Sequence, residues 1–245
     1  AAAKAGELEA YAIERVRDGM ATSRGPTVVR AVRELSAAAG TGQEPVDPER
    51  LEKMLAAGEE FDEYLGYVAN SFGYAEVLLF DATGRVLFSL DRQLPVGSSL
   101  LTGGLASSEI AAGFDRSRML LQSELSGFQV YGGGRRPLAF VTSPVFDEGR
   151  VIGVLALGLG PERIWQVLSD LSGLGRTGEI VTGEQQGQSV LVTCPLRHAP
   201  DAAFKLQIPL GGEKGVAVQK AASGSRGYGL VRDYRGEDVV AAWCY

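Results

Sequence analysis

The sequence is poor in the residues that carry most metal and nucleophile chemistry. Its 245 residues include one histidine, His198, and two cysteines, Cys194 and Cys244. A single histidine excludes a histidine-cluster metal site, and two cysteines are too few for a disulfide scaffold. The Gly-x-Ser-x-Gly, His-Glu-x-x-His and phosphate-loop patterns are also missing. We therefore expect no enzyme activity, no catalytic residue, no metal and no cofactor.

The chain also lacks long apolar runs and basic runs. Its longest apolar stretch, residues 151–159, has the length of a strand, whereas a membrane-spanning helix needs about 20 apolar residues. No charged start followed by an apolar run marks a signal peptide. Lys and Arg number 24 against 30 Asp and Glu, a net charge of −6. Without a basic patch for phosphates, nucleic acid is not an expected partner.

Two helices are predicted at the N-terminus, over residues 7–39 and 47–71. Apolar residues at helical spacing mark the second. The Gly25–Pro26 pair predicts an interruption of the first helix, and Asp47–Pro48 supplies an N-cap with proline at the first helical position. Residues 1–72 are therefore interpreted as a helical stalk.

Short β runs follow in residues 73–160. The pattern predicts strands, joined in part by hairpin turns, over residues 75–81, 85–90, 124–131, 137–145 and 151–159. A helix is predicted over residues 107–119. Together these elements predict a five-stranded antiparallel sheet with a helix-and-loop cover over one face, beneath which a pocket can form.

A second β-rich module is predicted after a linking helix. The helix occupies residues 161–171 within a linker of residues 161–175. In residues 176–245 the strand candidates are 179–183, 189–194, 227–234 and 238–245, with a polar stretch over residues 195–224. This module resembles the first, but we expect it to lack a last strand. The predicted fold class is α+β, with two tandem PAS-like sheets behind a helical stalk.

Four segments of the sequence resemble the tandem double-Cache domains of bacterial chemoreceptors, histidine kinases and cyclases. They are AEVLLFDATGRV at residues 75–86, PLAFVTSPVFDEGRVIG at 137–153, GLGRTGE at 173–179 and DYRGEDVVAAWCY at 233–245. The resemblance implies a periplasmic or extracytoplasmic domain of an inner-membrane protein, anchored through segments outside these residues. It also implies a homodimer through the N-terminal helix, a membrane-distal module over residues 73–160 that holds the ligand, and a membrane-proximal module over residues 176–245.

One departure from the family bears on the ligand. The subgroup that binds amino acids uses an Arg-x-Trp-Tyr box and a later Asp that holds the ammonium group. The distal module has no Trp, and Gly158 stands where the Asp would be. Without that carboxylate the ammonium group loses its charge-assisted partner, so amino acids are not the expected ligands.

Residues 116–142 contain the candidate ligand-binding side chains. Cationic, aromatic and polar groups occur there close together in sequence: Arg116, Arg118, Phe128, Tyr131, Arg135, Phe140 and Thr142. A few polar groups on an aromatic wall suit a small organic ligand, and an arginine favours a carboxylate through its forked donors. The alternative is that Phe128 and Tyr131 pack in the core and the arginines are solvated.

The expected function is small-molecule sensing in a transmembrane receptor such as a histidine kinase or chemoreceptor. The expected ligand is a small organic acid in the distal module. The alternative is a dimerisation or protein-interaction module that has no small-molecule ligand.

Overall fold

The computed structural model describes residues 2–40, 46–131 and 136–245. The chain divides into two compact units. The larger unit is Ala12–Gly160, and the smaller unit combines Ala1–Tyr11 with Pro161–Tyr245. Both contain helices and antiparallel strands, so the predicted α+β class is confirmed.

Three helices precede the first strand: α1 (Ala2–Ser23), α2 (Pro26–Ala39) and α3 (Pro48–Phe72). The predicted break at Gly25–Pro26 is present, because Pro26 starts a new helix at a position where its missing N–H costs nothing. Asp47 caps α3 by accepting the N–H of Arg50 at 2.9 Å, and Gly73 ends it in the left-handed conformation. No helix in the described ranges is both long and apolar enough to span a bilayer.

One antiparallel sheet forms the centre of the larger unit. Its elements are β1 (Glu76–Asp81), β2 (Val86–Ser89), α4 (Glu109–Leu120), β3 (Glu124–Leu125), β4 (Gln129–Val130), β5 (Pro137–Asp147) and β6 (Arg150–Leu159). The strand order is β2-β1-β6-β5-β3, and β4 also pairs with β5. The fifth position is thus shared by two short strands, and the predicted continuous strand over 124–131 is wrong. The hydroxyl of Ser126 accepts the Phe140 N–H at 2.8 Å, so a side chain takes the place of a backbone partner there.

Local sequence sets the two hairpin turns of this sheet. At the β1–β2 turn, one Asp81 carboxylate oxygen accepts the N–H groups of Thr83 and Arg85 at 2.8 and 3.0 Å. At the β5–β6 turn, Glu148 and Gly149 have φ values of 48° and 78°. Two successive positive φ values match the right-handed twist of the flanking strands and produce a tight hairpin.

The sheet of the larger unit is covered on both faces. We call the face toward α4 the inner face; its core includes Phe80, Phe114 and Phe140. The outer face packs against α1 and α2, where a Cβ added to Gly19 would lie 2.5 Å from Val141 Cγ1. Both faces of β5 and β6 are therefore buried, which explains their continuous apolar sequences.

The smaller unit has two separate sheets. Its elements are α5 (Glu162–Ser169), β7 (Gly183–Gln186), β8 (Ser189–Val192), β9 (Gln207–Pro209), α6 (Val216–Ala222), β10 (Gly227–Arg232) and β11 (Asp238–Trp243). Strands pair in the order β7-β8-β9 and, separately, β10-β11, and α6 contacts β7, β8, β10 and β11.

Two predictions for the smaller unit need correction. The predicted strand over 179–183 is wrong, because the Thr182 N–H bonds to the Cys194 sulfur at 3.2 Å and the regular ladder starts only at Gly183. The polar stretch over 195–224 contains β9 and α6. The glycines and polar residues of this stretch interrupt the apolar pattern from which these two elements would be predicted. A buried Gln219 holds the loop before α6 by bonding the backbone of Gly211, Gly212 and Lys214 at 2.7 to 2.9 Å.

Candidate functional site

The inner face of the larger unit presents aligned rows of side chains from β1, β6 and β5. In the first row Glu76 lies opposite Gly158, which lies opposite Phe140. In the second row Leu78, Ala156 and Thr142 are aligned in the same way. Alternation along each strand places these residues on the face covered by α4. The site is therefore built from strands that are distant in sequence.

Three of the predicted site residues lie together on this face. Tyr131 and Phe140 stack edge to face, with ring centroids 5.0 Å apart and planes at 82°. Thr142 is fully buried two residues further along β5, and its hydroxyl donates to the Gly113 carbonyl of α4 at 3.0 Å. Phe128 is half-buried next to β4. The sheet thus carries an aromatic pair and a polar group beneath α4.

Arg116 and Arg118 occupy the rim of α4. Arg116 is 44% exposed and pairs with Glu124 at 3.6 Å. Arg118 is 37% exposed, donates to Asp115 at 3.1 Å and to the Ala82 carbonyl at 3.1 Å, and lies over the Phe114 ring. Arg135 lies outside the described residues. Exposed ion pairs of this kind contribute little to stability, so Arg116 and Arg118 can leave their present partners at a small cost in free energy.

Helix α4 approaches the inner face closely at one glycine. A Cβ added to Gly113 would lie 3.1 Å from Thr142 Oγ1. Ser117, also fully buried, bonds to the Phe114 carbonyl at 3.1 Å. Small residues let the helix backbone rest on β5, and the Thr142 hydroxyl attaches it there.

Glu76 is a buried carboxylate that the sequence reasoning missed. It is 1% exposed and accepts the N–H groups of Val77 and Asp91 at 2.9 and 3.1 Å. Burial raises the pKa of Glu76, and the neighbouring Asp91 carboxylate acts in the same direction. A sequence signal existed, since Glu76 is in phase with Leu78 and Phe80 on the apolar side of β1.

Strand β5 connects the covered face to α1. Thr142 faces α4, whereas Val141 and Ser143 on either side of it face outward. Their side chains lie within 2.6 Å of the position that a Cβ on Gly19 would occupy. A movement of β5 would therefore change its contact with α1 at Gly19.

The described residues do not offer a metal site. In residues 2–40, 46–131 and 136–245, no three His, Cys, Asp or Glu side chains come together to hold an ion. The inner face carries a carboxylate, a hydroxyl and aromatic rings.

The architecture of the larger unit is PAS-like. An antiparallel sheet of order β2-β1-β6-β5-β3, covered by a helix inserted after the first hairpin, forms the larger unit. In the smaller unit a β7–β8 hairpin and a β10–β11 hairpin flank α6 in the same chain order.

Comparison with solved structures identifies the fold further. The chain is similar to the extracellular domain of the inferred histidine kinase mmHK1S-Z2, with a TM-score of 0.58 and 12% identity over 96% of this chain and 86% of that chain. The resemblance to double-Cache sensor domains is thereby confirmed at the level of the fold.

Two further structures show more partial similarity. The sensor domain of the V. cholerae histidine kinase DctB matches with a TM-score of 0.49 and 14% identity, over 69% of this chain and 56% of that chain. The ligand-binding domain of the Pseudomonas fluorescens chemoreceptor CtaA, in complex with L-alanine, matches with a TM-score of 0.45 and 15% identity over 79% of each chain. The chain spans little more than half of the DctB domain and 58% of the Campylobacter jejuni Tlp3 domain. No protein-family model and no curated protein matches the sequence.

Proposed function

We propose that this chain is the small-molecule-sensing region of a transmembrane signal-transduction receptor, and that the larger unit binds the ligand on its inner face. The observation that carries the proposal is the combination of an aromatic pair, Tyr131 and Phe140, with the buried polar groups of Thr142 and Glu76 beneath one helix. A few oriented polar groups on an apolar wall are typical of sites for small organic molecules. Nothing in this arrangement calls for catalysis.

The proposed signal is a change in the position of the cover. Side chains of α4, including Ile110 and Phe114, fill the space against the sheet, so a ligand on this face has to displace them. A ligand that binds one arrangement of α4 better than another shifts the population toward it. Because Thr142 bonds to α4 and its neighbours on β5 contact Gly19, the same shift reaches α1.

The proposed setting follows the resemblance and the fold. The region lies outside the cytoplasm, is anchored through segments beyond these residues and dimerises through its N-terminal helices. The larger unit acts as the membrane-distal module over residues 73–160, and residues 176–245 act as the membrane-proximal one.

Binding of small organic acids is the first test. Thermal unfolding is followed with succinate, malate and citrate, because a ligand that binds only the folded state raises the midpoint by mass action. If the arginines bind a carboxylate, one of these acids should give a saturable rise that charge reversal at Arg116, Arg118 or Arg135 reduces. A Lys53→Glu variant is the matched control, since Lys53 pairs with Glu49 on the exposed side of α3. A shift that survives all three arginine reversals would remove the arginines from the site.

An interaction module is the second candidate function. Five large apolar side chains of α1 and α3 are exposed by 44 to 67%: Ile13, Met20, Leu55, Tyr67 and Phe72. Exposed apolar groups on neighbouring helices favour association with another chain. Absence of any midpoint shift with organic acids, amines and purines, together with a dimer in sedimentation that Tyr67→Glu disrupts, would favour this function over sensing.

A further inference from the structure

The Glu76 carboxylate lacks a cationic partner in the described part of the chain. Its third donor is the Ser89 hydroxyl, which reaches Oε2 at 3.3 Å, so all three of its hydrogen-bond donors are neutral. No Lys, Arg or His of residues 2–40, 46–131 or 136–245 is among the groups that act on it. A buried carboxylate is costly unless it is paired or protonated, so this side chain is suited to a partner that arrives from outside.

Two of the donors converge on one oxygen. Val77 and Asp91 both donate to Oε1, whereas among the residues that the structure describes Oε2 receives only the long bond from Ser89. An ionised carboxylate oxygen can accept two hydrogen bonds. Oε2 therefore retains acceptor capacity for a ligand donor.

Glycine at position 158 brings Glu76 next to the aromatic pair. A Cβ on Gly158 would lie 2.9 Å from Glu76 Cβ and 3.1 Å from Phe140 Cε1. No side chain on β6 separates the carboxylate-bearing residue from the Phe140 ring, against which Tyr131 stacks. A carboxylate beside aromatic rings is the environment that favours a protonated amine, through charge-assisted hydrogen bonds and cation–π contact.

We propose that Glu76 binds the protonated amino group of the sensed ligand, which assigns the ligand to the small organic amines. This inference rests on the proposed sensing function and adds the ligand class. It also removes the reason for the expectation that amino acids are not ligands. That expectation assumed no carboxylate at the Gly158 position, whereas the Glu76 side chain lies directly beside it.

The test compares each amine with its counterpart that lacks nitrogen. Thermal midpoints of the whole chain are measured with L-alanine and propionate, putrescine and 1,4-butanediol, and ethanolamine and ethylene glycol. We expect a saturable rise with at least one amine and none with its counterpart. Glu76→Gln should weaken that binding at least about tenfold, because an amide offers no charge to the ammonium group.

Two variants separate charge from packing. The Gln side chain can still accept the Val77 and Asp91 N–H groups, so Glu76→Gln should fold. If it does not, Glu76→Asp retains the charge but withdraws it from Phe140 by one methylene, and should weaken amine binding at least about fivefold. The matched control is Glu49→Gln, which removes an exposed carboxylate of α3 that does not contact Glu76 and should leave the amine response unchanged.

The possible results distinguish this inference from the proposed function. An amine response that is lost in the Glu76 variants and retained in Glu49→Gln supports both. A response to propionate or other acids without any to amines overturns the role of Glu76 and leaves sensing intact, as does an amine response that is equal in Glu76→Gln. Silence with every compound overturns the amine site together with the sensing function.

Discussion

The contact between α1 and β5 can be tested with a single methyl group. Gly19 is a buried interior residue of α1, and a Cβ there would lie 2.5 Å from Val141 Cγ1 and 2.6 Å from Ser143 Oγ. These separations are far below van der Waals contact, so Gly19→Ala requires the helix or the strand to move. The helix cannot easily withdraw, because Arg15 donates to the Phe72 carbonyl at 3.0 Å and Asp18 accepts from Tyr74 at 3.1 Å.

Two effects of this substitution oppose each other. Replacing glycine by alanine inside a helix stabilises it by about 1 kcal/mol. Overpacking a closely fitted core costs about 1–3 kcal/mol. The net effect of Gly19→Ala alone is therefore a loss of up to about 2 kcal/mol, and a control is needed to isolate the steric part.

Gly66→Ala supplies that control. Gly66 lies inside α3 of the same unit, and its added Cβ would come no closer than 3.9 Å to Leu90 Cδ1. The Gly66→Ala variant should be stabilised by the higher helix propensity of alanine and should not suffer a steric clash. The two variants should therefore differ by about 1–3 kcal/mol in unfolding free energy. Equilibrium denaturation followed by circular dichroism measures the difference. Equal stability of the two variants would refute the α1–β5 contact, and with it the proposed connection between cover and helix.

Two further predictions concern buried charged groups. Arg85, 5% exposed, donates to the carbonyls of Ala39 and Gly40 at 3.3 Å, and Arg85→Met should lower the unfolding free energy by about 1–3 kcal/mol. A thermal midpoint equal to that of wild type would contradict this role. For Glu76, the pKa in the folded state lies above the ordinary value of 4.5. The stability that the protonated carboxyl contributes to the fold is therefore fully present below pH 4.5 and is lost as the pH rises through the raised pKa. Glu76→Gln should therefore gain stability relative to wild type with rising pH, in denaturation series from acid to neutral pH, and parallel profiles would show that the carboxyl is not perturbed.

Much of the fold follows from local sequence. Glycine–proline and aspartate–proline pairs fix the starts of α2 and α3, and the hairpin turns at residues 81–85 and 147–150 carry the residues that their backbone conformations require. Alternating or continuous apolar runs locate β1, β5, β6, β10 and β11. These signals are readable because each depends on residues a few positions apart.

The errors occur where non-local contacts decide the outcome. Ser126 interrupts the strand over 124–131 by bonding to Phe140 across the sheet, and Cys194 bonds to Thr182 ahead of β7. In the candidate site, Tyr131, Phe140 and Thr142 were anticipated and lie together. The sequence predicts Arg116 and Arg118 as ligand-binding residues because of their charge. Only the structure shows that they pair with Glu124 and Asp115, respectively.

The sequence by itself determined the order of the elements: helices followed by two β-rich modules. The tertiary structure decided what the inner face contains. Strand register places Glu76, Gly158 and Phe140 in one row, although they belong to three strands. Pairing between distant segments is set by how the whole sheet packs, so no local pattern could show that a buried carboxylate lies beside the aromatic pair.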